Sequence, residues 1–259
     1  NSLSNIVTFA LNNGNIDMSG TNSISFYSRY GIVTNNNIIN SSNGAIGIYG
    51  TNNTQINNVG TINLGNNSIG LAAKTQEGTL SIAGNNLINM TNSGNIISNG
   101  ATAPIGMYAQ NNSSLNRADA NITNSNTVDL RNSLNSIGAY ISGGTFTNTG
   151  NMSVGTNGIA VLADMTDVNM SGGTINLTGN NAVGFHLENG SNITGATGTV
   201  NVDGTDIVIF NIKGSSAPIP NGLTINPTAG STYIVANIDE GLFTTGAGTL
   251  TAGANSVLI

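Results

Sequence analysis

The residues that could carry out chemistry are few in this chain. His186 is the only histidine, cysteine is absent, and the neighbouring acids form two pairs, Asp164 with Asp167 and Asp203 with Asp206. A glycan-cleaving enzyme needs clustered carboxylates, and a calcium site needs about six or more oxygen ligands. Two acids near a turn are ordinary surface residues. We therefore expect no catalytic site, no metal site and no cofactor.

Aromatic residues recur at one position of a repeated pattern, which we call the anchor pattern. It consists of an apolar residue, a small residue, a second apolar residue and a fourth position, as in Ile46-Gly47-Ile48-Tyr49. In successive copies the fourth position holds Tyr27, Tyr49, Ala72, Tyr108, Tyr140, Leu162, His186 and Phe210. If the first and third positions point inward, pleating turns the second and fourth outward.

Such an outward row of aromatic side chains beside small residues has two interpretations. The rings can stack on sugar rings or on a flat protein surface, or they can shield the backbone as a stabilising ladder. On the first interpretation the candidate binding residues are Tyr27, Tyr49, Tyr108, Tyr140 and His186.

Two long steps between copies suggest a second candidate site. The first apolar residues fall at 24, 46, 69, 105, 137, 159, 183 and 207, so most steps are 22–24 residues but two are 36 and 32. Alignment puts the extra residues near 73–86 and 109–120, at the same corner of consecutive repeats. Loops on a rigid scaffold often bind ligands, although surface insertions are also tolerated without function. The charged residues concentrated there are Lys74, Glu77, Arg117 and Asp119.

Two further apolar rows share this period and complete a repeat of three short strands. One row comprises Ile16, Ile38, Ile62, Ile96, Val128, Met152, Ile175 and Val200. The other comprises Ile32, Ile56, Ile88, Ile122, Phe146, Val168 and Ile193. Asn- and Gly-rich corners separate the strands, because these residues tolerate positive φ. Three strands in 22–24 residues predict an all-β fold in which each repeat is one coil of a parallel β-helix.

The coils must stack to be stable. Ordering ~23 residues costs at least ~1 kcal/mol each, whereas five or six buried aliphatic side chains return only ~1.5–3 kcal/mol apiece. Asparagine at the corners can add amide ladders between coils, unless its abundance merely reflects biased composition. We expect one β-helix domain over residues 1–259, with regular Asn-rich coils over 1–204 and less regular ones over 205–259.

Composition limits the partners. Only 6% of residues are charged, the net charge is -6 and the pI is about 4.3. The chain therefore has no basic patch to neutralise a phosphate backbone, and we do not expect it to bind nucleic acid. No run of about 18 apolar residues suggests a membrane span. The chain lacks an initiator Met and a signal peptide and ends inside a plausible strand, so we expect it to be a fragment of a longer solenoid.

Several repeats resemble the Asn-rich passenger repeats of Gram-negative type V autotransporter adhesins, notably the large fusobacterial outer-membrane kind. The resemblance rests on segments such as Asn43-Gly44-Ala45-Ile46-Gly47-Ile48-Tyr49 and covers residues 1 to about 212 well. It brings no defined ligand residues. It implies a right-handed β-helical stalk outside the cell, anchored in the outer membrane through a C-terminal β-barrel that lies outside this sequence.

These features favour a non-enzymatic, extracellular adhesin segment that binds a glycan or protein on a host-cell or partner-bacterium surface. One alternative is a structural spacer with no ligand of its own. A weaker alternative is a β-helical enzyme that acts on polysaccharides.

Overall fold

The computed structural model describes residues 8–75, 88–111, 120–219, 222–245 and 256–257. Over this part of the chain the regular secondary structure consists of 29 β-strands, without a helix. None of the described residues therefore forms a helix long and apolar enough to cross a membrane.

In chain order the strands are β1 (Thr8–Asn12), β2 (Ile16–Asp17), β3 (Ile24–Arg29), β4 (Gly31–Asn35), β5 (Ile38–Asn40), β6 (Ile46–Thr51), β7 (Gln55–Asn58), β8 (Thr61–Leu64), β9 (Ile69–Lys74), β10 (Ile88–Asn92), β11 (Asn95–Ser98), β12 (Ile105–Gln110), β13 (Ala120–Asn124), β14 (Thr127–Leu130), β15 (Ile137–Ser142), β16 (Thr145–Asn148), β17 (Asn151–Val154), β18 (Ile159–Asp164), β19 (Asp167–Met170), β20 (Thr174–Leu177), β21 (Val183–Glu188), β22 (Asn192–Ala196), β23 (Thr199–Val202), β24 (Ile207–Lys213), β25 (Ser216–Ile219), β26 (Thr224–Pro227), β27 (Tyr233–Asp239), β28 (Leu242–Thr245) and β29 (Ser256–Val257).

The strands build three parallel sheets. Sheet A runs from β1 to β28 through every third strand, sheet B runs from β2 to β26, and sheet C runs from β3 to β27 and ends with β29. Each coil thus gives one strand to each sheet, and every strand pairs with its equivalents in the coils above and below. The fold is the predicted right-handed parallel β-helix with three strands per coil. The strands beyond residue 205 extend the same three sheets.

The interior consists of stacked aliphatic rows, as predicted, with three corrections to the rows of sheets A and B. Val33, Ile39 and Met90 occupy the inward, paired positions that we expected for Ile32, Ile38 and Ile88. The first two errors fall where two apolar residues follow each other, so alternation alone leaves the register open by one residue. Ile88 is also buried, but it pairs with Ala120.

The six-residue strands of sheet C break the expected alternation. In β6 and β12 the second and third positions of the anchor pattern are both buried, whereas the first is half-buried and faces outward. Our prediction that the first position points inward, with the small residue outside, is therefore wrong. The reason is steric: a Cβ on Gly47 would lie 2.7 Å from the carbonyl oxygen of Gly70 and 3.2 Å from Cγ2 of Ile62.

The small residue lets sheet C approach the side chains of sheet B. Ala160 holds the same buried position in β18, and the larger Ile209 and Val235 hold it in the last coils. The requirement for a small residue therefore does not hold in every coil.

A buried row of asparagines runs along the corner after sheet A and confirms the predicted amide ladder. Its members are Asn12, Asn35, Asn58, Asn92, Asn124 and Asn148, all at most 5% exposed. Each Nδ2 donates to the Oδ1 of the next asparagine at 2.7–2.8 Å. The row ends at Met170, whose sulfur lies 3.6 Å from Nδ2 of Asn148. Burying these amides leaves no step of the row without a hydrogen bond, so the free-energy penalty of an unpaired buried polar group is avoided.

Candidate functional site

The outer face of sheet C carries three straight rows of side chains, one residue from each of the nine strands β3 to β27. The aliphatic row is Ile24, Ile46, Ile69, Ile105, Ile137, Ile159, Val183, Val208 and Ile234. The aromatic row is Tyr27, Tyr49, Ala72, Tyr108, Tyr140, Leu162, His186, Asn211 and Asn237. The charged row is Arg29, Thr51, Lys74, Gln110, Ser142, Asp164, Glu188, Lys213 and Asp239.

The aromatic row contains all five predicted stripe residues, with one correction outside them. Val208, not Ile207, pairs with Val183, so β24 is shifted by one residue from the expected register. Phe210 is consequently buried and stacks on Phe185, with ring centroids 5.1 Å apart. Asn211 takes its place in the row.

The tyrosines form two pairs on this face. The ring centroids of Tyr27 and Tyr49 are 5.7 Å apart, and those of Tyr108 and Tyr140 are 5.2 Å apart in a stacked arrangement. Ala72 separates the two pairs. Tyr108 donates from its hydroxyl to Oε1 of Gln110 at 3.0 Å, so the hydroxyl leans towards the charged row. These contacts fix the orientation of the rings, which leaves a preformed surface rather than a mobile one.

Three of these tyrosines remain neutral well beyond neutral pH. Burial raises the pKa of Tyr49, Tyr108 and Tyr140 above the usual 10.0. For Tyr140 the carboxylates of Asp164 and Glu188 raise the pKa further. The row therefore presents uncharged phenols beside charged neighbours.

His186 occupies a rung of the aromatic row between Leu162 and Asn211. Asn211 donates from Nδ2 to Nδ1 of the imidazole at 2.9 Å, which leaves the imidazole proton on Nε2. Nε2 lies 3.7 Å from Oε1 of Glu188. The ring is held by its two neighbours, an arrangement that suits a structural or contact residue.

The charged row concentrates the few charges of the chain. The whole sequence has five basic and eleven acidic residues, yet six of the nine positions of this row are charged. Within the described ranges, Arg29, Lys74 and Lys213 have no carboxylate within the 4.0 Å of an ion pair. Asp164 accepts hydrogen bonds from Ser142 and Asn189, at 2.9 and 2.8 Å. These charges lie beside the tyrosine rings on the same face.

The predicted loop site is only partly described. Glu77 lies in 76–87, and Arg117 and Asp119 lie in 112–119, outside the described residues. We expected Lys74 in a loop, and this is wrong. Lys74 is the last residue of β9 and pairs with Gln110. Residues 109, 110 and 120 likewise belong to strands. Both long connections do leave sheet C for sheet A in consecutive coils, as predicted.

The acid pairs do not converge on a site. Where the structure describes the chain, no three or more His, Cys, Asp or Glu side chains are grouped so that they could hold a metal ion. Asp164 belongs to the charged row, whereas Asp167 belongs to β19 of sheet A. Asp203 accepts a 2.9 Å hydrogen bond from Thr228 at the opposite corner.

The sequence analysis found the residues of the aliphatic row but expected them to point inward, and it missed the charged row. The signal was present: the sixth residue of each anchor strand is charged far more often than the chain average. Lys213 joins this row only when β24 is aligned on its hydrogen-bond register. Comparison with protein-family models, with curated proteins and with solved structures gave no match.

Proposed function

We propose that this chain is a segment of an extracellular adhesin that binds a partner surface, without catalysis, through the outer face of sheet C. The partner is a glycan or protein on a host cell or a neighbouring bacterium. The observation that carries the proposal is the juxtaposition, on one flat face, of an aliphatic row, a tyrosine-bearing row and the main concentration of charge.

The physical argument rests on the tyrosines and on the order that this face already has. Tyrosine supplies large contact area at a low cost in side-chain entropy, and it is enriched among residues that dominate binding energy. The rings are already ordered by stacking and by hydrogen bonds to the neighbouring row. A partner that covers the face therefore pays little for ordering it.

The resemblance to autotransporter passenger repeats supports a location outside the cell, on a surface to which the parent protein is anchored. The lack of cysteine agrees with a rod that is stabilised by stacking alone. A chain of this kind needs no oxidising step to reach its folded state.

A structural spacer is the second candidate. The continuous asparagine ladder and the unbroken strand register from β3 to β27 favour it, because both stiffen the rod. Eight strand spacings of ~4.8 Å make sheet C about 40 Å long over these strands. A spacer requires that length, and it does not require any particular residues on the outer face of sheet C.

Adhesion of coated beads separates these functions. We expect beads carrying the protein to adhere to epithelial cells or to bacteria, and the double variant Tyr108→Ala/Tyr140→Ala to lose at least about tenfold of that adhesion. The matched control removes exposed apolar side chains from sheet A, Phe9→Ala/Leu242→Ala, and should adhere like the wild type.

Three outcomes count against the proposal. Inert wild-type beads would favour the spacer, and full adhesion by the tyrosine variant would move binding to another surface. Release of reducing ends from polysaccharides by the soluble protein would establish an enzyme.

A further inference from the structure

We infer that the partner covering the outer face of sheet C is a second copy of this chain, docked face to face with the two rods antiparallel. This inference rests on the proposed use of that face for binding. The evidence is the order of the charges along the charged row, which is complementary to itself when the row is reversed.

Symmetry limits how two copies can pack by the same face. A pair of identical chains normally closes around a two-fold axis. If the axis follows the rod, strand direction is reversed and the aliphatic row of one copy covers the charged row of the other. If the axis follows the strands, the rod is reversed and each row covers the same row of the second copy. Only the second arrangement avoids burying charges against isoleucines.

The charges of the reversed rows then match. With the axis at the central strand β15, Arg29 faces Asp239, Lys74 faces Glu188 and Gln110 faces Asp164, with residues from different copies in each pair. Each of these contacts occurs twice. The remaining contacts are equally free of repulsion: Thr51 faces Lys213, and Ser142 faces its own equivalent.

Neighbouring registers fail this test. Moving the axis half a strand spacing towards β18 places Lys74 opposite Lys213, and moving it half a spacing towards β12 places Arg29 opposite Lys213. Like charges in direct contact across an interface cost several kcal/mol. Moving the axis a whole spacing to β12 creates no like-charge contact, but it leaves only one kind of ion pair, Arg29 with Glu188, instead of two. The charge order therefore favours the register centred on β15.

The other two rows agree with this arrangement. The aliphatic row of one copy covers the aliphatic row of the other along its whole length. This contact excludes water, because both rows consist of isoleucine and valine alone. In the aromatic row the small Ala72 faces His186, Tyr108 faces Leu162, and Tyr140 faces its own equivalent. Large side chains thus meet smaller or aromatic ones at the centre of the contact.

The size of the face suits a reversible pair. Eight strand spacings of ~4.8 Å and five residue spacings of ~3.3 Å define a face of roughly 40 by 17 Å, or about 680 Å² per copy. The total of about 1,400 Å² lies within the roughly 1,200–2,000 Å² of specific interfaces. In an antiparallel pair the equivalent ends of the two rods point in opposite directions. Two copies that extend from opposing cell surfaces can therefore pair in this way.

Charge reversal tests this arrangement. Sedimentation equilibrium at low salt should show a monomer–dimer equilibrium for the wild type. Lys74→Glu creates two acid–acid contacts per dimer and Glu188→Lys creates two base–base contacts, so each should weaken dimerisation at least about tenfold. The double variant K74E/E188K, and an equimolar mixture of the two single variants, should recover dimers. Arg131→Glu, in the turn after β14 of sheet B, makes the same charge change away from the face and serves as the control.

The outcomes are distinct. A wild type that stays monomeric up to high concentration overturns the inference, and so does a dimer that both single reversals leave intact or that the double variant fails to restore. Circular dichroism shows whether each variant is folded before it is compared. Monomeric protein on beads that still adhere to cells or to a glycan would overturn the self-pairing and leave the proposed function standing. Monomeric protein on inert beads would overturn both.

Discussion

Asn58 donates a 2.8 Å hydrogen bond from Nδ2 to Oδ1 of Asn92, a residue 34 positions further along the chain. The preceding step of the ladder, from Asn35 to Asn58, spans only 23 residues and has the same length of 2.8 Å. The long connection after β9 therefore leaves the interior in register. Coil length varies, whereas the strands and the asparagine corner stay in register.

The ladder should make a large contribution to stability. Asn92→Ala removes the acceptor for Nδ2 of Asn58 and the donor to Oδ1 of Asn124, both in a buried corner. Leaving buried polar groups unpaired costs ~1–3 kcal/mol each, so we expect a loss of about 2–4 kcal/mol in the free energy of unfolding. Guanidinium denaturation followed by circular dichroism measures it.

The control for this variant is Asn36→Ala, whose amide makes an exposed hydrogen bond to Asn13. We expect it to change stability by no more than about 0.5 kcal/mol. Equal effects of the two substitutions would show that burial of the ladder does not matter.

The inward glycines of sheet C should not tolerate a side chain where an added Cβ would meet the backbone of the next coil. A Cβ on Gly106 would lie 2.5 Å from the carbonyl oxygen of Gly138 and 2.7 Å from Cγ1 of Val128. Since backbone atoms cannot move aside cheaply, we expect Gly106→Ala to cost about 2–3 kcal/mol of unfolding free energy. Gly14→Ala meets nothing within 4 Å and should be nearly neutral. A Gly106→Ala protein as stable as the wild type would refute the packing described for sheet C.

The register of β24 makes Phe210 a core residue. Its ring is 1% exposed and stacks on that of Phe185. We expect Phe210→Ala to cost about 3–5 kcal/mol because it leaves a large cavity. Phe9→Ala, at a ring that is 72% exposed, should have little effect on the denaturation midpoint. A small effect at Phe210 would favour the outward position that the sequence alone suggested.

Stability should fall at alkaline pH. Burial raises the pKa of Tyr49, Tyr108 and Tyr140 in the folded protein above 10.0, the value of an unfolded tyrosine. As the pH passes 10, the unfolded chain loses these protons first, so unfolding becomes more favourable. The guanidinium midpoint should be constant between about pH 7 and pH 9 and decrease above about pH 10.

Replacing these three tyrosines by phenylalanine should reduce that alkaline decrease and leave the neutral plateau in place. A midpoint that rises above pH 10, or a decrease of unchanged size in the triple variant, would contradict the raised pKa values.

Much of the fold could be predicted from the sequence because solenoid repeats make the same contact many times. Ile62, Val128 and Ile175 hold their predicted inward positions, since an alternating strand surrounds each of them. The errors fall where that signal is ambiguous. Ile38 and Ile39 are both apolar, and only pairing with β8 decides that Ile39 points inward.

The candidate site was predicted less completely. The tyrosines were found because aromatic residues are rare in this chain and recur at one position. The outward direction of Ile46 and Ile105 could not be found, because the inward pair that follows each of them violates strand alternation. The charged row escaped notice because its members, such as Lys74 and Glu188, come together only through pairing between coils.

Hydroxyl-radical footprinting of the protein, in the free state and bound to the cells or copies that it contacts, tests the central claim most directly. We predict that Tyr108 and Tyr140 lose reactivity on binding while Phe9, exposed on sheet A, keeps its own. Unchanged reactivity of both tyrosines in the bound state would contradict the assignment of the outer face of sheet C as the contact surface.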